Sequence, residues 1–284
     1  IEGENKKGFK IGNSNKITYW RSAAKPFQVF PVILSGAAKE YNFTDKELAV
    51  MSASHSGQKL HVELVTSILE KIGLNQKALK CGTHPPFHKA TRKVLRKKGQ
   101  KPKEVHNACS GKHAAQLALC QYYNWDIENY FEPEHPVQKK IIEIISEVTE
   151  YPLDQIQVGV DGCGVPVFAM PLKNMALAYY NLIDRVSMPS KYRDASTRIY
   201  KAIINNPKVV AGSNRFDTDL MKITNKKIVA KAGADGVFCL GIKNKMGIAL
   251  KIEDGDMKSI FPVIVELLAE LNILSKININ LPRS

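Results

Sequence analysis

Apolar side chains recur at helical spacing along much of the chain. After Ser22, Pro26 can lie in the first turn of a helix, where its missing N–H costs nothing, and Phe27 and Phe30 follow at roughly helical spacing. Residues 44–47 (Thr-Asp-Lys-Glu) have the pattern of a capped helix start leading into an apolar run. The same periodicity predicts further helices at about 58–73, 111–123, 135–149, 172–186, 190–204 and 256–275.

Shorter apolar runs between turn signals predict strands. Residues 8–19 have the pattern of a β-hairpin, with its turn near Gly12 and Asn13. The last three of the other predicted strands should form a meander, because Gly and Asn-Lys turn signals separate them. These other strands are predicted at 156–160, 166–171, 227–231, 236–242 and 246–252.

The order of these elements predicts an α+β fold. Strands come first, many helices follow, and a meander with a terminal helix ends the chain, which is typical of a mixed sheet with flanking helices. We expect a single domain over residues 1–284, with a helical region at roughly 40–150. The chain has no Gly-x-Gly-x-x-Gly or phosphate-loop motif, so a doubly wound nucleotide-binding fold is not expected.

Composition narrows the class of protein. A chain of 284 residues with 44% hydrophobic residues can bury a sizeable core. No run of 18 or more apolar residues is present, and residues 1–7 lack an apolar signal core, so we expect no membrane partner. The five cysteines are odd in number and form no Cys-x-x-Cys pair, which favours a reducing compartment and a cytoplasmic protein.

The net charge of +14 raises the possibility of nucleic-acid binding, but the excess is local. Residues 89–103 hold eight basic side chains and no acidic one, and the rest of the chain has a balance of +6. A nucleic-acid channel would also need aromatic side chains among the charges for base stacking, and this segment has none. The segment therefore predicts a solvated basic helix and loop, with no nucleic-acid partner.

The first candidate for chemistry is Ser22 with Lys25, three residues later at a helix start. Such spacing places both side chains on one face. A serine attacks carbonyl carbons only when a base takes its proton, and a lysine can be that base if burial lowers its pKa by roughly 3 units. The alternative is a capping serine followed by an exposed lysine.

Two further segments add polar groups. Residues 52–58 contain three serines and a histidine, among them Ser54 and His55, at a predicted junction between helices. An ordinary capped loop is the alternative there. Lys231 ends an apolar strand and is followed by Gly233 and Gly236, which permit close backbone approach. A buried lysine at that point is costly unless it has a function, and the alternative is a side chain that points to water.

The order of these motifs resembles that of serine β-lactamases, penicillin-binding proteins and serine-dependent glutaminases. It runs Ser-x-x-Lys, then Ser with a polar neighbour, then Lys-x-Gly on a late strand. In those enzymes the first serine attacks the carbonyl and the first lysine is a candidate base. The second serine and the late lysine relay protons and hold the substrate carboxylate.

Three more segments make the resemblance specific. Residues 81–86 (Cys-Gly-Thr-His-Pro-Pro), 106–113 (His-Asn-Ala-Cys-Ser-Gly-Lys-His) and 160–166 (Val-Asp-Gly-Cys-Gly-Val-Pro) do not belong to the β-lactamase pattern. Together with the others they resemble the thermolabile asparaginase II family, the Rhizobium etli type or class 3 asparaginases, over about residues 8–255. The resemblance implies a β-lactamase-like fold, a homodimer, and hydrolysis of L-asparagine to L-aspartate and ammonia.

The resemblance also implies roles for individual residues. Ser22 and Lys25 match one serine–lysine pair of the family, and Ser54 with Lys231 is similar to the other. Either serine could attack, and we assign the attack to Ser22. The match further implies a low-affinity or facultative zinc site and three holders of the charged groups of the substrate. The zinc ligands would be Cys109, Lys112 and Cys163, and the substrate holders Arg21, His55 and Asp161.

Chemistry alone leaves alternatives open. A lysine amine is a rare zinc ligand that must first lose its proton, so two unrelated buried cysteines are the alternative to a metal site. A glutaminase or a β-lactam acylase would share the serine–lysine core. Two alternatives involve no catalysis: a basic nucleic-acid-binding protein and a protein with a purely structural zinc.

Overall fold

The computed structural model describes residues 1, 8–184 and 186–274 and contains two small sheets. Both are antiparallel and three-stranded, with the orders β1-β3-β2 and β4-β5-β6. The strands are β1 (Ile17–Tyr19), β2 (Gln157–Val160), β3 (Pro166–Pro171), β4 (Ile228–Ala232), β5 (Val237–Ile242) and β6 (Met246–Lys251).

Helices surround the two sheets and include several single turns. Short 3-10 segments add turns at Arg21–Ala24, Gln76–Ala78, Glu104–His106, Leu153–Gln155 and Ser190–Tyr192. The α-helices are α1 (Lys25–Gln28), α2 (Phe30–Leu34), α3 (Ala37–Glu40), α4 (Asp45–Met51), α5 (Lys59–Lys71), α6 (Lys89–Lys97), α7 (Ser110–Tyr123), α8 (Pro136–Thr149), α9 (Leu172–Ile183), α10 (Arg193–Asn205), α11 (Pro207–Val210), α12 (Phe216–Ile223) and α13 (Met257–Glu270).

The predicted α+β class is confirmed, although the described strands form two antiparallel sheets and not one mixed sheet. Strands β2 and β3 are joined by a short turn, and β4 to β6 form the predicted meander. Neighbours in the chain therefore pair with each other, and short connections permit only antiparallel pairing.

The hairpin predicted at residues 8–19 is wrong. Residues 8–16 form no strand, and β1 pairs instead with β3, with Thr18 opposite Met170. Strand β3 is buried along its whole length, whereas the 8–12 segment leaves Phe9 and Ile11 in solvent. The buried strand is the better partner for β1 because it offers apolar surface on both faces.

The long helices agree with the predictions to within a few residues. Predicted ends at 186 and 275 lie beyond the observed ends of α9 and α13, and residue 275 is outside the described residues. The capping box at Thr44 is present, since its Oγ1 accepts the N–H of Glu47 and the Glu47 carboxylate accepts the N–H of Thr44. Helix α12 was not predicted, because its eight residues give too short a periodic signal.

Trp20 holds the segment before Ser22 between the two sheets. The backbone N–H of Trp20 donates to the carbonyl of Phe168 in β3. A Cβ on Gly233, just after β4, would lie 3.0 Å from the carbonyl oxygen of Trp20. Its ring packs against Phe27 and Tyr179, with centroids 5.0 and 6.3 Å away. The turn at residues 21–24 is therefore fixed against the ends of both sheets.

A second close contact brings α7 against α4. A Cβ on Gly111 would lie 2.0 Å from the carbonyl oxygen of Val50, so only glycine permits this approach. The contact places the start of α7 beside the segment that follows α4, which contains Ser54. Within the described residues, no helix is long and apolar enough to cross a membrane.

Candidate active site

The hydroxyl of Ser54 lies between two buried lysine amines. The Nζ atoms of Lys25 and Lys231 are each 3.0 Å from Ser54 Oγ. Lys25 is 0% exposed and Lys231 is 1% exposed, whereas Ser54 is half-buried. The three residues come from α1, β4 and the segment after α4, and Ser54 and Lys231 are 177 residues apart in the chain.

Backbone carbonyls complete the surroundings of both lysines. Lys25 Nζ also donates to the carbonyl of Ala53 at 2.9 Å and to Cys109 Sγ at 3.2 Å, and Lys231 Nζ donates to the carbonyl of Ala232 at 2.7 Å. Burial, together with the nearby charge of Lys25, lowers the pKa of Lys231 to about 7. Lys231 can therefore exist as a neutral amine near neutral pH.

Ser22 lies in the same region, in the short turn before α1. It is half-buried, and its carbonyl accepts the backbone N–H of Lys25. The side-chain amine of Lys25 hydrogen-bonds Ser54, not Ser22, among the described contacts. The structure thus joins Lys25 and Lys231 through Ser54, and it places Ser22 in the turn that leads into Lys25.

A cluster of potential metal ligands borders this site. The ligand atoms of Cys109, Asp161 and Cys163 lie within 4.8 Å of one another. Lys112 Nζ is 3.2 Å from Cys163 Sγ and 3.7 Å from an Asp161 carboxylate oxygen. The sequence predicted that Asp161 binds the substrate, and it did not predict a metal ligand there. Its position two residues before Cys163 could have suggested one.

The chemistry of these donors fits a zinc ion. The thiol of Cys109 hydrogen-bonds Cys163, which lowers the pKa of Cys163 and raises that of Cys109, so the pair holds one thiolate. Burial alone would lower the pKa of Lys112, but the Cys163 thiolate and its other anionic neighbours raise it overall. Two cysteine sulfurs and a carboxylate are ordinary zinc donors, but the Cys109 thiol and the Lys112 amine must each first lose a proton.

Arg21 and Asp161 form a charged pair at the rim of the site. Arg21 Nε donates to Asp161 at 3.0 Å, and Arg21 Nη1 bonds the carboxylate of Asp235. Although burial would raise the pKa of Asp161, the positive charges of Lys112, Lys25 and Arg21 lower it to about 2. Asp235 was missed by the sequence analysis, although it lies in the Gly-Ala-Asp-Gly turn after β4.

His55 lies away from the rim. Its ring is fully buried, Nδ1 accepts the N–H of Gly57 at 3.2 Å, and Nε2 lies 2.9 Å from Ser110 Oγ. Burial holds the pKa of His55 well below its usual value, so the ring is neutral. These contacts fasten the segment that contains Ser54 to the start of α7.

A half-buried serine hydroxyl thus lies between two buried lysine amines on an α+β scaffold, and amines in such a position can activate a hydroxyl for attack on a carbonyl carbon. A sequence model of the family described as L-asparaginase II matches residues 2–281. The chain therefore belongs to the L-asparaginase II family and is an L-asparaginase, an amidohydrolase. Among curated proteins, none matches the chain.

Proposed function

We propose that the protein hydrolyses the side-chain amide of L-asparagine to L-aspartate and ammonia by serine–lysine chemistry. The observation that supports this most directly is the Ser54 hydroxyl, whose oxygen lies 3.0 Å from the amines of both Lys25 and Lys231. A hydroxyl shared by buried amines can move protons at neutral pH, which a serine nucleophile requires.

In this proposal Ser22 is the nucleophile. Lys25 passes a proton through Ser54 to neutral Lys231 and then takes the Ser22 hydroxyl proton as Ser22 Oγ bonds to the amide carbon; the backbone N–H of Ser22 stabilises the oxyanion. As the C–N bond breaks, the Lys231 ammonium gives its proton to the nitrogen, which leaves as ammonia. Lys231 then takes a proton from water as the water oxygen adds to the acyl carbon. The bond to Ser22 Oγ breaks, that oxygen regains its proton from Lys25, and Lys231 returns a proton to Lys25 through Ser54 as aspartate is released.

The charged groups of the substrate find partners at the rim. Arg21 would bind the α-carboxylate, and Asp161 would bind the α-ammonium group. Both side chains are half-buried and belong to the same charged pair. His55, which we predicted as a third holder, is fully buried and bonded within the protein, so we assign it the positioning of the Ser54 segment.

Zinc is proposed as a facultative component held by Cys109, Cys163 and Lys112, with Asp161 as an additional ligand. When bound, the ion supplies a positive charge that orients the polar groups of the substrate. The protonated Lys112 opposes binding and makes the site weak at neutral pH. We also propose a cytoplasmic homodimer; the compartment is supported by the five free cysteines.

Ser54 is the alternative nucleophile, favoured by its two amine contacts. Substituting Ser22→Ala should lower kcat for ammonia release from asparagine by about 10⁴-fold or more, because no covalent intermediate can then form. Ser54→Ala should cost about 10²–10⁴-fold, the usual value of a proton-transfer group. Both variants are compared by coupled ammonia assay.

Intact-mass spectrometry of acid-quenched reactions identifies the acylated serine. An aspartyl adduct on Ser22, absent from the Ser22→Ala variant, supports the proposal. An adduct on Ser54, or near-normal turnover by Ser22→Ala, overturns the assignment. Ammonia release from glutamine at the same concentration tests whether the protein is a glutaminase. Hydrolysis of a coloured β-lactam tests whether it is a β-lactam acylase.

A further inference from the structure

Asp217 is a buried carboxylate close to Lys231, and nothing in the sequence indicated it. It is the second residue of α12 and is only 2% exposed. Within the described residues, no lysine or arginine nitrogen lies within ion-pair distance of it. Taking a carboxylate out of water is costly unless neighbouring groups stabilise its charge, so the groups that contact Asp217 indicate its role.

A chain of hydrogen bonds connects Asp217 to Lys231. Asp217 Oδ1 accepts the backbone N–H of Ala232 at 2.5 Å. The carbonyl of the same Ala232 accepts the Lys231 amine at 2.7 Å, and that amine reaches Ser54 Oγ at 3.0 Å. The carboxylate thus fixes the residue on which the Lys231 side chain rests.

Asp217 is also the negative charge opposite several positive ones. Burial, Lys25 and Arg215 each favour the neutral amine of Lys231, whereas Asp217 favours the ammonium form and so raises its pKa. The titratable and charged groups that face Lys231 come from α12, α1, the residue before α12, the segment before α7 and β5. They are Asp217, Lys25, Arg215, Cys109 and Cys239.

We propose that Asp217 is a positioning residue that fixes the end of β4 and sets the charge state of Lys231. The inference rests on the proposed function, in which neutral Lys231 accepts a proton through Ser54. Without the carboxylate, the Lys231 amine would lose its proton at lower pH and would rest on a less firmly held peptide.

The experiment compares Asp217→Asn with Asp219→Asn. Asparagine keeps an oxygen for the Ala232 N–H and removes only the charge. Asp219 lies two residues later on the same helix, is half-buried, and is the matched control. We expect the acidic limb of kcat/KM against pH to move about one unit lower in Asp217→Asn and to stay in place in the control.

A second readout does not need asparaginase activity. The ¹³Cε resonance of Lys231, assigned by its absence in Lys231→Arg, is titrated in protein labelled at lysine. Its midpoint should fall in Asp217→Asn and remain unchanged in Asp219→Asn. If Asp217→Asn does not fold, Asp217→Glu, which keeps the charge, should fold and retain the wild-type midpoint.

The outcomes separate the two proposals. If the wild-type protein does not hydrolyse asparagine but the Lys231 titration midpoint is lower in Asp217→Asn, the proposed function is rejected and the inference on Asp217 is kept. An unshifted midpoint in Asp217→Asn, with reduced stability alone, would overturn the inference and assign Asp217 a structural role.

Discussion

The charge on a single amine decides when the proposed reaction can run. Lys231 has a pKa of about 7 because it is buried beside Lys25, so it is protonated below that pH and neutral above it. Only the neutral form accepts a proton. We therefore expect kcat/KM to rise about tenfold per pH unit up to pH 7 and then to level off.

Lys231→Arg tests this assignment, since a guanidinium stays charged over the whole range. The value of kcat/KM should fall about 10²-fold or more. The rise of kcat/KM with pH up to pH 7 should be absent when it is measured between pH 5 and 9. Lys227→Arg is the control, because Lys227 is the exposed residue just before the same strand. A limb that persists in Lys231→Arg would assign the titration to another group.

The residue scale also shows what the sequence could predict. Motif order indicated Ser22, Lys25, Ser54 and Lys231, and in the fold the last three are joined by hydrogen bonds. It could not indicate that Lys25 bonds Ser54, because that contact depends on how α4 packs. Asp217 was missed for the same reason, since its contact with Ala232 joins two elements whose local patterns carry no mark of it.

At the scale of elements, the packing of α7 on α4 fixes the Ser54 segment. Gly111→Ala should increase the intrinsic preference for helix, but its Cβ would lie 2.0 Å from the Val50 carbonyl oxygen. The steric effect should dominate and lower the free energy of unfolding by about 3 kcal/mol. Urea denaturation measures the change.

Gly162→Ala provides the control, because nothing lies within 4 Å of a Cβ built there. It should leave stability within about 0.5 kcal/mol of wild type. If Gly111→Ala is as stable as Gly162→Ala, the close approach of α7 to α4 does not hold the site.

Helices with a long apolar stripe could be predicted from the sequence. A strand whose place depends on a distant pairing strand could not. Helices α8 and α10 present such stripes, and the predicted ranges match them closely. Strand β1 has only three residues, and their partners in β3 lie 150 or more positions away in the chain. Nothing local distinguishes that pairing from a hairpin with residues 8–12.

For the molecule as a whole, the proposed zinc ligands are a small part of a large apolar core, which does not depend on them. A continuous set of buried apolar side chains extends from Trp20 to Leu274. Chelation should therefore leave the thermal midpoint within about 2 °C, whereas a structural zinc protein would unfold. The melting curve with and without a chelator measures this, and a large drop would contradict it.

Zinc affinity should rise with pH, since the ion must displace protons from Cys109 and Lys112. Competition with a chromophoric chelator between pH 6 and 8 should show an increase of at least about tenfold per unit. Cys163→Ser should weaken binding at every pH, and Cys120→Ser, a buried cysteine of α7, is the control. A pH-independent affinity would exclude this ligand set.

The position of Ser54 has one more consequence. A hydroxyl has a single hydrogen, so when Lys231 is neutral its lone pair can take that hydrogen while Lys25 donates to the oxygen. The three groups then form a one-dimensional proton wire, in which a charge moves from one amine to the other by bond exchange over two 3.0 Å links. In the proposed reaction neither lysine would change rotamer, so the two amines would regain their starting charges between turnovers by proton movement along this wire alone.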